Sequence, residues 1–139
     1  TVVIADAIQI KDFDGNNDTV MVDISDATGT NQTATTAATG ALNLNTTSGG
    51  FSLITGATIA DFASGAGVVS AVGAQTNTDN DEFFVAIQNV AGTQVGIYNI
   101  LIKGGDTAAT LAAGTDGISL VALIDVTAGT FGLDNMSVY

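Results

Sequence analysis

The sequence predicts an all-β fold, a mainly antiparallel β-sandwich or β-roll of about nine short strands. Apolar and polar residues alternate over most of the chain with the period of a half-buried strand, as where Val20, Val22 and Ile24 occupy every second position. The alternating segments are separated by stretches rich in Gly, Asn, Asp and Thr, which are typical of turns. The length suits one core, so a single all-β domain over residues 1–139 is expected.

The individual elements follow from the same patterns, with one short helix at most. Residues 105–114 favour that helix, since Asp106 or Thr107 is a suitable N-cap and Gly114 a suitable C-cap. Residues 27–40 are low in complexity, and their threonine content fits an exposed loop, a polar edge strand or disorder. The predicted strands are 2–10, 19–25, 41–45, 51–54, 68–72, 82–90, 94–103, 118–126 and 135–139.

The composition excludes several classes of function. Lys11 and Lys103 are the only basic residues, and the formal net charge is -12. Nucleic-acid binding is not expected, because the basic patches that contact phosphate are missing. No membrane insertion is expected, since no charge-free run is apolar enough to span a bilayer. The chain has no cysteine, which excludes disulfides and thiolate metal sites.

One acidic stretch near the start suggests a calcium site. Asp12, Asp14, Asn16 and Asp18 fall at every second position, and Gly15 permits a tight turn between them. Calcium takes six to eight oxygen ligands from such side chains, so these four residues are its candidate ligands. The position of the glycine and the absence of a glutamate at the twelfth position exclude an EF-hand. The alternative is a set of Asx turns exposed to water.

A second acidic cluster is a further candidate for metal binding. It contains Asp79, Asp81 and Glu82 without a neighbouring basic residue. Two phenylalanines, Phe83 and Phe84, follow at once. They support the alternative that this cluster is an ordinary polar loop leading into a core strand.

The sequence argues against an enzyme. There is no histidine and no cysteine, so the commonest general base and the best thiol nucleophile are missing. A glycoside hydrolase needs two carboxylates, for which Asp61 or Asp125 with a partner would serve. Sugar clefts usually offer aromatic stacking surfaces, and this chain has no tryptophan and two tyrosines.

The composition also bears on assembly, because natural sheets block their edges with lysine, proline or inward charges. This chain has no proline, and residues 27–60 and 83–102 contain no basic residue. Strand edges in these segments are open to pairing with another subunit, unless a closed barrel or covering loops hide them. A homo-oligomer or polymer is therefore expected.

Two segments resemble a known family. Residues 8–26, IQIKDFDGNNDTVMVDISD, resemble the pattern found in proteins with repeats-in-toxin type calcium-binding modules. Residues 111–139 are similar to the last stretch of many type I secretion substrates, in which an acidic residue, here Asp134, precedes a short hydrophobic tail. The chain has at best one degenerate repeat, so a calcium-lined parallel roll is not predicted.

The resemblance implies a secreted bacterial protein that lies outside the cell or on its surface. It also implies calcium ligands at Asp12, Asp14, Asn16 and Asp18, and a secretion signal in the tail. The expected function is that of a non-enzymatic, calcium-stabilised subunit or module of a surface layer or fibre. The alternative is a calcium-dependent carbohydrate-binding or adhesin module whose partner is a cell-surface glycan.

Overall fold

A computed structural model describes residues 2, 7–24, 32–35, 38–42, 50–75, 81–102 and 117–139, with the backbone alone for 32–35, 38–42 and 74–75. A short 3-10 turn, Leu133–Asn135, precedes the last strand. The remaining elements are β1 Ile8–Asp14, β2 Val20–Val22, β3 Gln32–Thr35, β4 Ala38–Leu42, β5 Phe51–Ile59, α1 Gly65–Val72, β6 Gly73–Gln75, β7 Glu82–Asn89, β8 Gln94–Leu101, β9 Gly117–Ala128 and β10 Met136–Val138.

The main sheet has six strands in the order β1-β9-β8-β7-β5-β3. Strands β7, β8 and β9 are antiparallel, whereas β1 with β9, β5 with β7 and β3 with β5 are parallel. Two further parallel pairs, β2 with β10 and β4 with β6, lie outside this sheet. The predominance of strands is confirmed, but the sheet is mixed and the prediction of a mainly antiparallel sandwich or roll does not describe it. Alternation predicts that a strand exists and carries no information on its direction.

The α-helix α1 lies where a strand was expected. Residues 68–72 were predicted as a strand and form its last turns. The Ser64 side chain caps the helix by accepting an N–H of its first turn at 3.0 Å, and Val68, Ala71 and Val72 form its buried stripe. The helix predicted at 105–114 lies outside the described residues. Within the described ranges, no helix is long and apolar enough to cross a membrane.

The main sheet buries apolar side chains on both faces. We call them the α1 face, which packs against the helix, and the β2 face, which lies under the β2 and β10 pair. On the α1 face, Ile54, Phe83, Val85, Tyr98, Ile100 and Ile118 of the sheet pack with Val68 of the helix. On the β2 face, Phe13, Phe51, Ala86, Ile97 and Ile124 of the sheet pack with Phe131 and Met136 from the C-terminal segment. A sheet covered on both sides keeps nearly all of its aliphatic residues from water.

A β-bulge in β9 lets one strand serve both faces. Leu120 packs on the α1 face, whereas Ala122, two positions later, packs on the β2 face. Val121 is the additional residue, because the pairs that β9 makes with β8 pass from Leu120 directly to Ala122. A bulge reverses the alternation after it, so the second half of β9 presents its even-numbered residues to the opposite side.

Ser52 on β5 provides a test of the buried interior. Its side chain is fully buried, and its Oγ has no hydrogen-bond partner among the described residues. We expect Ser52→Ala to raise the free energy of unfolding by about 1 kcal/mol, because the variant no longer buries an unpaired hydroxyl. Urea denaturation measures the change. As a control, Ser64→Ala removes the helix cap and should lower the free energy of unfolding by about 1 kcal/mol. A loss of stability in Ser52→Ala would contradict the expectation for that variant.

Candidate functional site

The predicted calcium loop is a tight turn, residues 14–18, which we call the acidic turn. The Asp14 carboxylate accepts three hydrogen bonds: Asn16 donates its backbone N–H and its side-chain amide, both at 2.9 Å, and Asn17 donates its side-chain amide at 2.7 Å. The Asp14 carbonyl accepts the backbone N–H groups of Asn17 and Asp18. Amide donors therefore hold this carboxylate, as in an Asx turn.

These hydrogen bonds change the acidity of Asp14. The backbone N–H of Asn16, the side chain of Asn17 and the side chain of Asn16, in that order of importance, hold the pKa of the Asp14 carboxyl below its usual value. A carboxyl with a lowered folded-state pKa stabilises the fold above its unfolded pKa. That stabilisation is lost as the pH falls through the folded pKa.

The pKa shift gives a pH-dependent prediction. We expect Asp14→Asn to melt at a lower temperature than the parent chain at pH 6, and the difference to close as the pH falls below about 3.8. Melting curves between pH 3 and pH 7 measure it. The control Asp134→Asn removes the same negative charge at a position outside the turn. It therefore corrects for the repulsion among the carboxylates of the whole chain. A difference that is the same at pH 3 and pH 6 would show that the charge of Asp14 is not involved.

The four predicted calcium ligands are only partly brought together. Asp14, Asn16 and Asp18 share the acidic turn, and the Asp18 carboxylate accepts the Asp14 N–H at 2.8 Å. Asp12 precedes them on β1, at an irregularity where its φ is 60°. Across the parts of the chain that the structure describes, no three acidic residues are grouped so as to hold a metal ion.

The acidic turn in this conformation does not fit calcium well. One Asp14 oxygen accepts two donors and the other accepts one, so their lone pairs are largely used. Calcium requires six to eight oxygen ligands, and an ion at this turn would have to displace amide donors. Calcium binding here stays a prediction. It requires water molecules as additional ligands and a rearrangement of the turn.

The acidic turn rests on the C-terminal segment of the chain. Asn135 is buried, and its side-chain amide donates to the carbonyls of Gly15 at 2.9 Å and Asp18 at 2.8 Å. Its Oδ1 accepts the N–H of Gly132 at 2.9 Å. The Gly15 N–H also donates to the carbonyl of Ala128 at 2.8 Å. Asn135 has no distinctive local sequence signal, and the alternation pattern places it at the start of a terminal strand.

The two lone carboxylates considered for catalysis have structural partners. Asp125 accepts from Lys11 at 3.2 Å and from Gln94 at 2.6 Å, and these contacts, with Gln94 first, hold its pKa below the usual value. Asp61 accepts the N–H of Ala63 at 2.9 Å. A general acid needs a raised pKa, so the environment of Asp125 opposes that role.

The second acidic cluster lies at the beginning of β7. Asp79 lies outside the described residues. Asp81 is buried, and its carbonyl accepts the N–H of Ile102 at 2.9 Å. Glu82 is half-buried and accepts from the Asn99 side chain at 2.5 Å. These contacts support the reading as a polar loop that leads into a core strand, and a metal site here stays a prediction.

An apolar groove runs between β1 and β2, over the β2 face of the main sheet. Ile8 and Met21, one on each wall, are each 60% exposed. One cavity of about 320 Å³ is lined by Ile8, Ile10, Val20, Met21, Val22, Asp23, Phe84, Ile97, Val121 and Ala122. A second, of about 340 Å³, is lined by Ile10, Phe13, Asp18, Thr19, Val20 and Met21. Because three residues line both cavities, we treat them as one groove that reaches the acidic turn.

No family model, no curated protein and no solved structure matches this chain. The resemblance to calcium-binding secreted proteins therefore rests on the short motifs alone.

Proposed function

We propose that this chain is a non-enzymatic structural module that assembles with copies of itself through the β3 edge of its main sheet, outside a bacterial cell. The observation that carries this proposal is the difference between the two edges of the sheet. Strand β3 is the last in the strand order, and among the described strands only β5 pairs with it. It lies within residues 27–60, which contain no lysine, arginine or proline.

The opposite edge, β1, carries the features that natural sheets use against edge pairing. Lys11 is 70% exposed on this strand. The irregularity at Asp12, with its positive φ, interrupts the register between Ile10 and Phe13. A lysine and a bulge both oppose the addition of a further strand. The β3 edge, with neither, is therefore the better candidate for contact between copies.

The non-enzymatic part of the proposal is supported by the chemistry available. The whole chain lacks histidine and cysteine. Asp125 is held as an anion by Gln94 and Lys11, and Asp61 caps a turn through Ala63. These contacts give both carboxylates a structural role.

The assembly can be tested by negative-stain microscopy and size-exclusion chromatography. We expect ordered sheets or filaments from the parent chain, and mainly monomers from the double variant Thr33→Lys/Thr35→Lys, because lysines on an edge strand oppose pairing. Gln9→Lys on the β1 edge is the control and should assemble as the parent does. Melting curves verify that each variant is folded. If the double variant does not fold, the single variant Ala34→Lys replaces it. A parent chain that stays monomeric at every concentration and calcium level would rule out self-assembly.

We further propose that calcium strengthens this assembly. The net charge of -12 opposes close contact between copies, and a divalent cation near the acidic turn would reduce that repulsion. Because amide donors already hold Asp14, we expect the weak affinity of extracellular calcium sites, about 0.1–1 mM.

The calcium proposal predicts a measurable stabilisation. The melting temperature should rise between 0.1 and 10 mM calcium, since an ion bound only by the folded state stabilises it by mass action. Asp18→Asn should reduce the rise more than the charge-matched control Asp134→Asn does. The same melting temperature with calcium and with a chelator would mean that the amide donors hold the turn without metal.

In the part of the chain that the structure describes, no geometric feature specifically supports the carbohydrate-binding alternative. The groove walls are mainly aliphatic, whereas sugar sites usually stack the ring on exposed aromatic side chains. Binding of a monodisperse monomer to a glycan array would favour this alternative over assembly.

A further inference from the structure

Among the described strands, β10 and β2 cover the part of the β2 face that lies toward β3. The part next to β1 is left as the groove. Strand β10 contacts β3, which is the edge strand farthest from β1. Strand β2 pairs with β10 and lies toward β1, with the groove between them. Within the described ranges, the layer over this face therefore ends at β2. The groove occupies the position that the next strand of the layer would take.

The edge of β2 that faces the groove has backbone groups available for pairing. On the β10 side, the Tyr139 N–H donates to the Val22 carbonyl and the Ile24 N–H donates to the Tyr139 carbonyl. Backbone groups of successive residues in a strand point to opposite sides, so the N–H and C=O of Met21 point away from β10. An extended segment in the groove can therefore pair with β2, which is the mode of recognition called strand addition.

The floor of the groove would receive apolar side chains from such a segment. The half-buried side chains of Phe84 on β7 and Val121 on β9 line the floor, and Ile8 and Ile10 form the β1 wall. Because alternate side chains of an added strand point to the same side, apolar residues at every second position would pack on this floor.

The charge of the groove selects among possible partners. Asp18 lines one end and Asp23 the other, and no lysine lines either cavity among the described residues. Lys11 on β1, which is the basic residue among the described ones, pairs with Asp125. A second copy would bring its own carboxylates against these two. A segment that carries lysine or arginine complements the groove, because opposite charges favour encounter and binding.

We propose that the groove between β1 and β2 is a docking site for an extended peptide segment of a partner protein, with apolar residues at alternate positions and lysine or arginine at its ends. The segment adds to the edge of β2 that faces the groove, packs its apolar side chains on the half-buried Phe84 and Val121, and places its basic groups near Asp18 and Asp23. This site is separate from the β3 edge, so either proposal can fail without the other.

Synthetic peptides test this docking by fluorescence anisotropy with the whole chain. The probe is Lys-Val-Thr-Val-Thr-Val-Lys, and its charge control replaces both lysines by glutamate. We expect the basic peptide to bind about tenfold more tightly than the acidic one, with the difference falling at high salt. Equal affinity of the two peptides, or no binding of the basic one, would overturn the proposal.

Backbone methylation tests whether the peptide binds as a strand. One form carries N-methyl groups on its valines and another on its threonines, and these two sets of N–H groups point to opposite edges of a strand. We expect at least one form to lose binding, because it cannot donate to β2. If both forms bind as tightly as the parent peptide, the docking is not strand addition.

A pair of protein variants locates the site. Met21→Lys adds a positive charge to the groove wall at an exposed position, and it should weaken the basic peptide about tenfold. Val90→Lys makes the same change of charge at a 74% exposed position outside the groove and should leave affinity unchanged. Equal effects of the two substitutions would place the peptide elsewhere on the protein.

Discussion

We expect Asn135→Ala to lower the free energy of unfolding by about 2 kcal/mol, because three backbone groups lose their hydrogen bonds to one buried side chain together. The Asn135 amide serves two carbonyls of the acidic turn, Gly15 and Asp18, and its oxygen serves the N–H of Gly132. Alanine leaves these partly buried groups without that partner. Urea denaturation followed by circular dichroism measures the loss.

Neighbouring positions provide the controls for Asn135. Asp134→Ala changes an exposed side chain beside it and should alter stability by less than about 0.5 kcal/mol. Asn135→Asp keeps the oxygen acceptor but loses the donors, so it should destabilise as well. If Asn135→Ala costs no more than Asp134→Ala, the described hydrogen bonds do not hold the turn.

We expect Gly15→Ala to cost about 3 kcal/mol, near the upper end for overpacking. A Cβ at Gly15 would lie 2.5 Å from the carbonyl oxygen of Thr130 and 2.7 Å from its carbonyl carbon. These are backbone atoms, which cannot move aside by a change of rotamer. The acidic turn and the segment after β9 would have to separate, and the Gly15 hydrogen bond to Ala128 would weaken.

The matched control for Gly15 is Gly132→Ala, in the same region. A Cβ at Gly132 would have its nearest neighbour, Asn135 Oδ1, at 3.9 Å, and the residue is in an extended conformation. That substitution should change stability by less than about 1 kcal/mol. Thermal and urea denaturation of both variants compare them, and equal stability would show that the close approach of Gly15 to Thr130 does not constrain the fold.

The strands with clear alternation were predictable, and their directions were not. Strands β7, β8 and β9 each coincide with a predicted strand within a few residues. The bulge at Val121 had no local signal, because a hydrophobic run such as that of β9 shows no break when it changes faces. Strand β3 falls in the low-complexity stretch for which an edge strand was one of three alternatives.

The helix was missed for a local reason. Paired valines at Val68 and Val69 favour a strand, since β-branched residues pack well in sheets. Ser64 and Gly73, the N-cap and C-cap of α1, are the local residues that favour a helix here. A helix this short is marginal in water by itself, so the packing of Val68, Ala71 and Val72 in the core stabilises it.

A polar turn at residues 14–18 was predictable from the sequence, and the roles of its side chains were not. The spacing of Asp14, Asn16 and Asp18 did indicate a turn with convergent polar groups. Asn16 was predicted to offer its side-chain oxygen to calcium, yet Asn16 and Asn17 act here as donors to Asp14. No local pattern indicates Asn135, because its partner Gly15 lies 120 positions earlier.

The pairing of the first described strands with the last ones constrains the order of folding. Strand β1 needs β9, β2 needs β10, and the turn between β1 and β2 needs Asn135. The N-terminal part of the sheet therefore stays incomplete until residues beyond 117 have been synthesised. Closing loops of this length carries a large entropic cost before any contact forms, and proteins dominated by such distant pairings fold on the scale of milliseconds to seconds. A nascent chain of this protein is consequently exposed in an unfinished state for longer than one that folds from local hairpins.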